Sequence, residues 1–497
     1  MESERRLHPL SFVFAIGDSA KQFLFPAILA LFATRSRDAW EAWAAVFIVP
    51  LAIIAIGRAL SFRYRFDPTE LVIRSGFLFR RVRHIPYDRV QNVNAVQNVL
   101  HRLLGVIEVK VETGGGNETE AFLRVVSSDA LDEIRARIFA GRARPADEAV
   151  EAPAPPDVLL ALTPGETFLF GLVHGRGMIV LGAMFGLLWE FGLMDTLDDR
   201  FFGGDSPGAG IFRSILLAVF DDAPFPLLQV VVSSGGIVLL LAVFRIASAA
   251  WTALTYHGFT LTRSGDDLRS EYGFFTRVTS TIPVRRIQKL TIREGPWHRL
   301  VDRVSVGVQT AGGKAQEGGE STRSWLAPLV RRSALPVLLN GIVPEATSDI
   351  DWQPVHPRGV RREFVGGMIF IVPVSIVLWF AIGWWMLPVA AVAALWLNVY
   401  ARKSIAAMRW AMASETVQFK SGWIWRNRLV APLAKVQVVS RRQSPFDRRH
   451  GMASVFADTA GRSQEGYAIR IRYLPAAVAL SLSQGLSAAA ARTSFKW

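Results

Sequence analysis

At 497 residues, 51% of them hydrophobic and none of them cysteine, the chain carries more apolar mass than a soluble core needs and excludes disulfides, thiolate metal sites and cysteine nucleophiles. A mean hydropathy of +0.27 requires part of it to face lipid. The net charge of +14 fits an anionic partner, such as lipid headgroups or nucleic acid, and equally fits the basic excess that sets membrane topology.

Residues 1–62 begin with a charged stretch, Met1 to Arg6, that no small-residue cleavage site follows, so no cleavable signal is expected. Two apolar spans come next, about Gln22 to Ala33 and Trp40 to Leu60, the first transmembrane helix pair. Residues 63–142 change period. Phe62 to Phe66, Glu70 to Arg74, Phe77 to Ile85 and Ile107 to Thr113 alternate apolar with polar or basic residues, and Asp67-Pro68 and Ser75-Gly76 break them as turns. Short antiparallel strands are predicted, with Gly114 to Gly116 marking a hairpin and Ala130, Leu131, Ile134 and Ile138 on one face of a closing helix.

Residues 143–167, rich in alanine, proline and acidic side chains, read as a linker. Residues 168–252 hold a second helix pair, about Met178 to Leu193 and Leu227 to Ala250, around an acidic connector with Asp195, Asp198, Asp199, Asp205, Asp221 and Asp222. A second β-rich cassette fills 253–345. The third pair, in 346–404, runs from Phe364 to Met386 and from Leu387 to about Tyr400, so close together that a tight helical hairpin is expected. A third cassette occupies 405–497. Most of the 56 lysines and arginines lie in the three cassettes, so the positive-inside rule puts cassettes and both termini in the cytoplasm and the acidic connector outside.

The three cassettes repeat one pattern. Aligning Gly76, Gly273 and Gly422 brings an aromatic into register one residue on (Phe77, Phe274, Trp423) and an arginine four residues on (Arg80, Arg277, Arg426). A proline follows ten residues after the glycine (Pro86, Pro283, Pro432), a glutamine fifteen after (Gln91, Gln288, Gln437) and a threonine thirty-seven after (Thr113, Thr310, Thr459). A preamble recurs ahead of each helix pair as Leu7-His8-Pro9, Leu162-Thr163-Pro164 and Val355-His356-Pro357, so preamble, helix pair and cassette are duplicated together. Exposed strand edges of tandem copies invite pairing, and the cassettes are expected to associate.

A helix pair followed by G-aromatic-x-x-R, a proline, then Val90-Gln91, Ile287-Gln288 or Val436-Gln437 resembles the bacterial pleckstrin-homology (PH) membrane proteins, the YdbS/YdbT-like family. The opening Arg6-Leu7-His8-Pro9-Leu10 is similar to that family's start, and the threefold unit resembles its longer branch with three bacterial PH domains. The resemblance covers nearly the whole chain. It implies small antiparallel barrels closed by a C-terminal helix, three in tandem on integral membrane α-helical hairpins, without enzymatic activity.

The repeated glycine, proline and glutamine suit a turn, a strand end and a buried hydrogen bond. The arginines Arg80, Arg81, Arg83, Arg277, Arg426 and Arg428 are candidates for lipid or partner contact, because a guanidinium grips phosphate bidentately; the alternative is a solvated basic face. A second basic group, His101-Arg102, His298-Arg299 and Arg448-Arg449-His450, is flanked by Trp297 and Phe446, which either insert at the membrane interface or plug the barrel end. No catalytic motif is present: His-Glu-x-x-His and Gly-x-Ser-x-Gly are missing, and Gly307 to Lys314 departs from the P-loop spacing. No cofactor, metal or nucleic-acid partner is expected. Three functions stay open: a membrane-anchored scaffold that engages a protein partner or a second copy, a module reading anionic lipid headgroups, and a six-helix channel or exporter.

Overall fold

The computed structural model describes residues 61–76, 80–87, 90–113, 121–127, 157–174, 227–310, 325–343, 350–459 and 469–492, and also positions 5–6, 57, 130–131, 133 and 346. The chain divides into two compact bodies, Met1–Leu160 with Thr260–Glu271 and Thr276–Trp497, and Ala161–Phe259 with Tyr272–Phe275.

In the first cassette β1 (Arg5–Arg6), β2 (Arg63–Phe66), β3 (Glu70–Ser75) and β4 (Arg81–Pro86) form an antiparallel sheet in that order. A meander follows, of β5 (Val90–Gln97), a short helix α1 (Val99–Leu103), β6 (Val106–Thr113) and β7 (Ala121–Ser127). The second cassette has β8 (Asp157–Ala161), helices α2 (Pro164–His174) and α3 (Leu227–Thr255), then β9 (Thr260–Ser264), β10 (Asp267–Tyr272) and β11 (Arg277–Pro283). Its second half is β12 (Ile287–Glu294), α4 (Pro296–Leu300), β13 (Arg303–Thr310), β14 (Trp325–Arg331) and α5 (Leu335–Asn340). The third repeats the plan with β15 (Gln353–Pro354), α6 (Gly359–Ile382), α7 (Met386–Ala407), β16 (Arg409–Met412), β17 (Thr416–Ser421) and β18 (Arg426–Pro432). It ends in β19 (Val436–Arg442), α8 (Pro445–Arg449), β20 (Met452–Thr459), β21 (Ile469–Pro475) and α9 (Ala476–Arg492).

The recurring preamble has a structural cause. The strand ahead of each apolar pair comes back to the first strand after it: Arg6 lies opposite Arg63, Pro354 opposite Arg409, and β8 beside β9. Each apolar stretch of the sequence is thus flanked by neighbouring strands of one sheet, which is why preamble, apolar stretch and cassette were duplicated together.

The first and third cassettes each bury one core between their two halves. In the first, Tyr64, Phe66, Leu71, Ile73 and Ile85 face Val93, Ala95, Ile107, Val109 and Val111, with Ala130 and Leu131 added after β7. In the third, Val417, Phe419 and Ala431 face Val455, Ala457, Ile469 and Ile471, and α9 contributes Ala479, Leu482 and Leu486. The alternation read from sequence is this inward face; β2, for example, buries Tyr64 and Phe66 and turns Arg63 and Arg65 outward.

The halves also join neighbouring cassettes. β5 pairs with β11 and β12 with β18, which gives two seven-stranded sheets, β7-β6-β5-β11-β10-β9-β8 and β14-β13-β12-β18-β17-β16-β15. Counted from the repeat glycines, both seams share one register. The residue four after a glycine faces the residue twenty-one after the preceding glycine, Arg277 on Gln97 and Arg426 on Glu294. The run ends with eight facing seventeen, Thr281 on Val93 and Val430 on Leu290. At roughly 0.2–1 kcal/mol for each cross-strand pair, five pairs hold a seam by about 1–5 kcal/mol, and the tether between cassettes raises their effective concentration. The association expected from the sequence is therefore built through backbone ladders.

Stretches Gly359–Phe380 and Gly383–Ala407, spanning α6 and α7, are long and apolar enough to cross a membrane, with mean hydropathies of 2.0 and 1.4. They coincide with the third predicted pair, and the span Leu227 to Ala250 lies in α3. The spans Gln22 to Ala33, Trp40 to Leu60 and Met178 to Leu193, and the acidic connector, fall outside the described residues, Gly57 apart. The base of α6 is bound to its cassette: the Tyr473 hydroxyl donates to Glu363 at 2.9 Å and the His356 amide to the Tyr473 carbonyl at 2.7 Å. Tyr473 takes a left-handed φ of 59°, a strained backbone that such surroundings hold in place.

In the second body α2 begins with a reciprocal cap, the Glu166 amide donating to Thr163 Oγ1 and the Thr163 amide to the Glu166 carboxylate, which accounts for the threonine in that preamble. Gly171 lets α3 approach, since a Cβ there would lie 2.6 Å from Ala249 Cα. Phe170 packs edge-on against Tyr256, and Arg245 donates to the Leu172 carbonyl.

Because the chain has no native cysteine, the seams can be trapped directly. Val96→Cys with Val278→Cys, and Thr291→Cys with Leu429→Cys, place thiols on facing residues, within about 4.4–6.8 Å between Cα atoms, the range a disulfide bridges. Both pairs should oxidise intramolecularly, read as a mobility shift reversed by reductant, whereas Val96→Cys with Leu429→Cys should not.

Candidate functional site

The repeat glycines sit at tight turns with φ of 109°, 118° and 88° for Gly76, Gly273 and Gly422, a region that disfavours any side chain. At Gly422 a Cβ would fall 1.9 Å from the Trp425 carbonyl. Pro86, Pro283 and Pro432 close β4, β11 and β18, where the missing amide ends the ladder. The glutamines share an unanticipated role. Gln91, Gln288 and Gln437 each occupy a β-bulge, where the register slips between Val90 and Asn92, Ile287 and Lys289, and Val436 and Val438. Gln288 is buried while Gln437 is exposed, so the constant feature is the bulge and its bend, not a buried amide.

The six candidate arginines do not converge on one pocket; they mark strand edges. Arg277 and Arg426 lie on seams. Arg277 pairs with Glu271 at 2.9 Å, and Arg269 reaches the same carboxylate at 2.5 Å. Burial pushes the Glu271 carboxyl up, but Arg269 and Arg277 outweigh it and hold the group below its ordinary value. Arg426 reaches across its seam to Glu294 at 3.5 Å, and Arg332 shares that carboxylate at 2.5 Å. Sequence reasoning passed over Glu294; the signal for it is an acid twenty-one residues after a repeat glycine, opposite the next cassette's repeated arginine.

Arg428 belongs to an inward polar cluster. Its Nε and Nη2 donate to Gln418 Oε1 at 3.0 and 2.8 Å, and Nη2 to the Ala346 carbonyl at 2.6 Å. Gln418 and Thr416 are fully buried beneath it. Trp352 covers the group, with Lys420 Nζ 3.7 Å and Arg428 Cζ 5.4 Å from its ring centre. Burial, and secondarily the Arg428 charge, bring the Lys420 ammonium down to about 8.

Arg80, Arg81 and Arg83 stand apart. β4 carries Arg81, Val82, Arg83 and His84 exposed, and its outer edge has no neighbouring strand among the described residues. β19 is the corresponding edge at the other end of the array, likewise without a neighbouring strand among the described residues. Neither edge is apolar and flat: each carries paired arginines, Arg80 with Arg81 and Arg441 with Arg442.

The second basic group divides. His101 and His298 are buried, His298 bonding Ser305 Oγ at 3.0 Å, so they are framework side chains. Trp297 and Phe446 are exposed and plug no barrel end. Phe446 lies under Arg362 at the base of α6, 5.2 Å from ring centre to guanidinium carbon.

A further basic site lies where α6 and α7 leave the apolar zone. Arg358, Arg361 and Arg402, with Pro357, Val360, Phe364 and Asn398, line a cleft of about 440 Å³. Asn398 orients Arg402 through a 2.8 Å hydrogen bond. The sequence reading missed it because its arginines are forty residues apart.

The profile of the family described as bacterial PH domain matches residues 22–142, 214–333 and 365–490. The UPF0699 transmembrane protein YdbT of Bacillus subtilis (strain 168) is 23% identical over 475 residues, covering 90% of this chain and 91% of that one. No solved structure matches.

Lys420 has a folded value below its ordinary 10.5, so native chains lose that proton first and stability rises with pH between about 8 and 10.5. Direct titration of Lys420 by NMR of the methylated protein should give a midpoint near 8. Arg428→Gln should raise it, because a neighbouring positive charge is removed.

Proposed function

The chain belongs to the bacterial PH domain family, and from that premise we propose that it is a non-enzymatic, membrane-anchored scaffold that holds its PH-like domains as one rigid array at the cytoplasmic face of a bacterial plasma membrane. In this reading three helical hairpins anchor the array, and the arginine and lysine distribution supports an orientation with the domains and both termini inside. The transmembrane designation of the B. subtilis relative and the two spanning stretches support the anchorage. The observation that carries the reading is the repeated seam: the same five-pair register twice joins domains that would otherwise swing on their linkers. A rigid array fixes the spacing of bound partners, which is what a scaffold needs. No bond-making chemistry requires it.

Anionic-lipid recognition is the second reading, and the Arg358, Arg361 and Arg402 cleft favours it. Basic pockets between helices at headgroup depth hold anionic headgroups, and each basic residue near such a surface contributes about 1 kcal/mol. Transport is disfavoured by the third hairpin, which has no charged residue between Glu363 and Arg402 to line a polar path.

In-cell crosslinking of the tagged full chain, followed by purification and identification of retained protein and lipid, separates these readings. The scaffold reading expects a stoichiometric protein partner that is lost from a seam-broken variant, Ser280→Pro with Leu429→Pro. Retention of anionic phospholipid alone, abolished by Arg358→Gln, Arg361→Gln and Arg402→Gln together, would replace it with lipid recognition.

A further inference from the structure

We propose that the bare β4 edge is a docking site for an extended acidic segment of a partner protein, which adds to the array as one more strand in the register of the two internal seams. This rests on the scaffold reading above and names the chemistry of its partner. Three observations carry it.

The first is geometric. β4 is the counterpart of β11 and β18, the strands that receive β5 and β12, and no strand pairs with its outer edge among the described residues. The receiving positions, four to eight residues after the repeat glycine, are Arg80, Arg81, Val82, Arg83 and His84 in this cassette, all exposed. An incoming antiparallel strand satisfies their outward backbone groups while its side chains set specificity.

The second is the role arginine plays at this register. An edge arginine can simply repel other strands. Yet the filled seams keep an arginine at the first receiving position, and at the second seam Arg426 meets the carboxylate of Glu294 on the incoming strand. Arginine there is compatible with occupancy and grips an acid. β4 retains that arginine as Arg80 and adds Arg81 and Arg83, where the filled edges have Val278 and Ser280, or Asn427 and Leu429. An occupant with carboxylates opposite Arg80, Arg81 and Arg83 complements this basic edge.

The third bears against the obvious alternative occupant, the β19 edge of a second copy of this chain. Its bare β19 edge, laid on β4 in the same register, would set Arg442 opposite Arg81 and Arg441 opposite Val82, between Arg81 and Arg83. Like charges directly opposite are unfavourable, so the array does not elongate head to tail. An acidic strand meets the same edge with every charge reversed.

The test uses the full-length protein in detergent and a fluorescein-labelled peptide built on the chain's own seam strand, residues 286–295, with Thr291→Glu and Arg293→Glu so that acids face Arg83, Arg81 and Arg80. Fluorescence anisotropy should show saturable binding that falls about tenfold with Arg81→Glu, the size of one reversed cross-strand contact. The unmodified peptide, with Arg293, should bind the wild type more weakly and the Arg81→Glu variant better. Register is read by disulfide trapping between Val82→Cys and a cysteine at peptide position 292, which should form, and at 293, which should not. Formation of the Val96–Val278 cysteine bridge in the Arg81→Glu background shows that the array is intact. No binding, equal binding by Arg81→Glu, or trapping without register preference would overturn the proposal and leave the arginines as an edge guard; concentration-dependent head-to-tail oligomers of the wild type would overturn it in favour of self-association. A cellular partner held equally by wild type and Arg81→Glu would also overturn it while leaving the scaffold reading intact, whereas a chain that retains no protein partner fails that reading itself.

Discussion

Everything in this chain depends on strands of one cassette finishing the sheets of the next. A PH-like sandwich has two half-sheets with edges, and unpaired edges expose backbone donors and acceptors that other strands can use. Here the edge of β5 is spent on β11 and that of β12 on β18, in one shared register. The duplicated sequence makes this possible: copies with the same turn at Gly76, Gly273 and Gly422 and the same bulge at Gln91, Gln288 and Gln437 present edges of the same shape. The turn sets where a receiving strand starts, and the bulge sets the bend of the strand that it receives.

A finite array must also stop. The two edges without a neighbouring strand among the described residues, β4 and β19, both carry adjacent arginines, whereas the filled seams set valine against valine or arginine against glutamate. Charge therefore distinguishes ends from joints without a change of backbone. At the membrane end, the third cassette is held to its hairpin by Tyr473 on Glu363 and by Arg362, which sits over Phe446 and 3.8 Å from Asp447. Those contacts join helix base and domain, so a displacement of one is transmitted to the other.

Much of this was legible from residue spacing. The repeat positions located the turns and strand ends, because φ and the missing proline amide are local constraints that a residue type reveals. The alternation in Arg63 to Phe66 identified an inward face for the same reason. What stayed hidden was non-local. Nothing in Val355-His356-Pro357 says that Gln353 and Pro354 form a strand with partners more than fifty residues away, across the helix pair. Glutamine at a bulge and glutamine with a buried amide look identical in sequence, and only Gln288 of the pair Gln288 and Gln437 is buried. In the sequence the candidate arginines look alike, one repeated position and its basic neighbours. The fold separates them into seam residues, Arg277 and Arg426, an inward residue, Arg428, and edge residues, Arg80, Arg81 and Arg83, because that assignment depends on which edges find neighbours.

Hydrogen exchange of the full-length protein in lipid nanodiscs tests the shared seam most directly, since receiving strands with and without a neighbour can be compared within one molecule. The account predicts slow exchange across β11 and β18, which are paired on both sides, and faster exchange in β4, which has the same position in its cassette but one bare edge. Exchange of β11 and β18 at the rate of β4 would contradict it, and would mean that the three cassettes hang separately from the membrane.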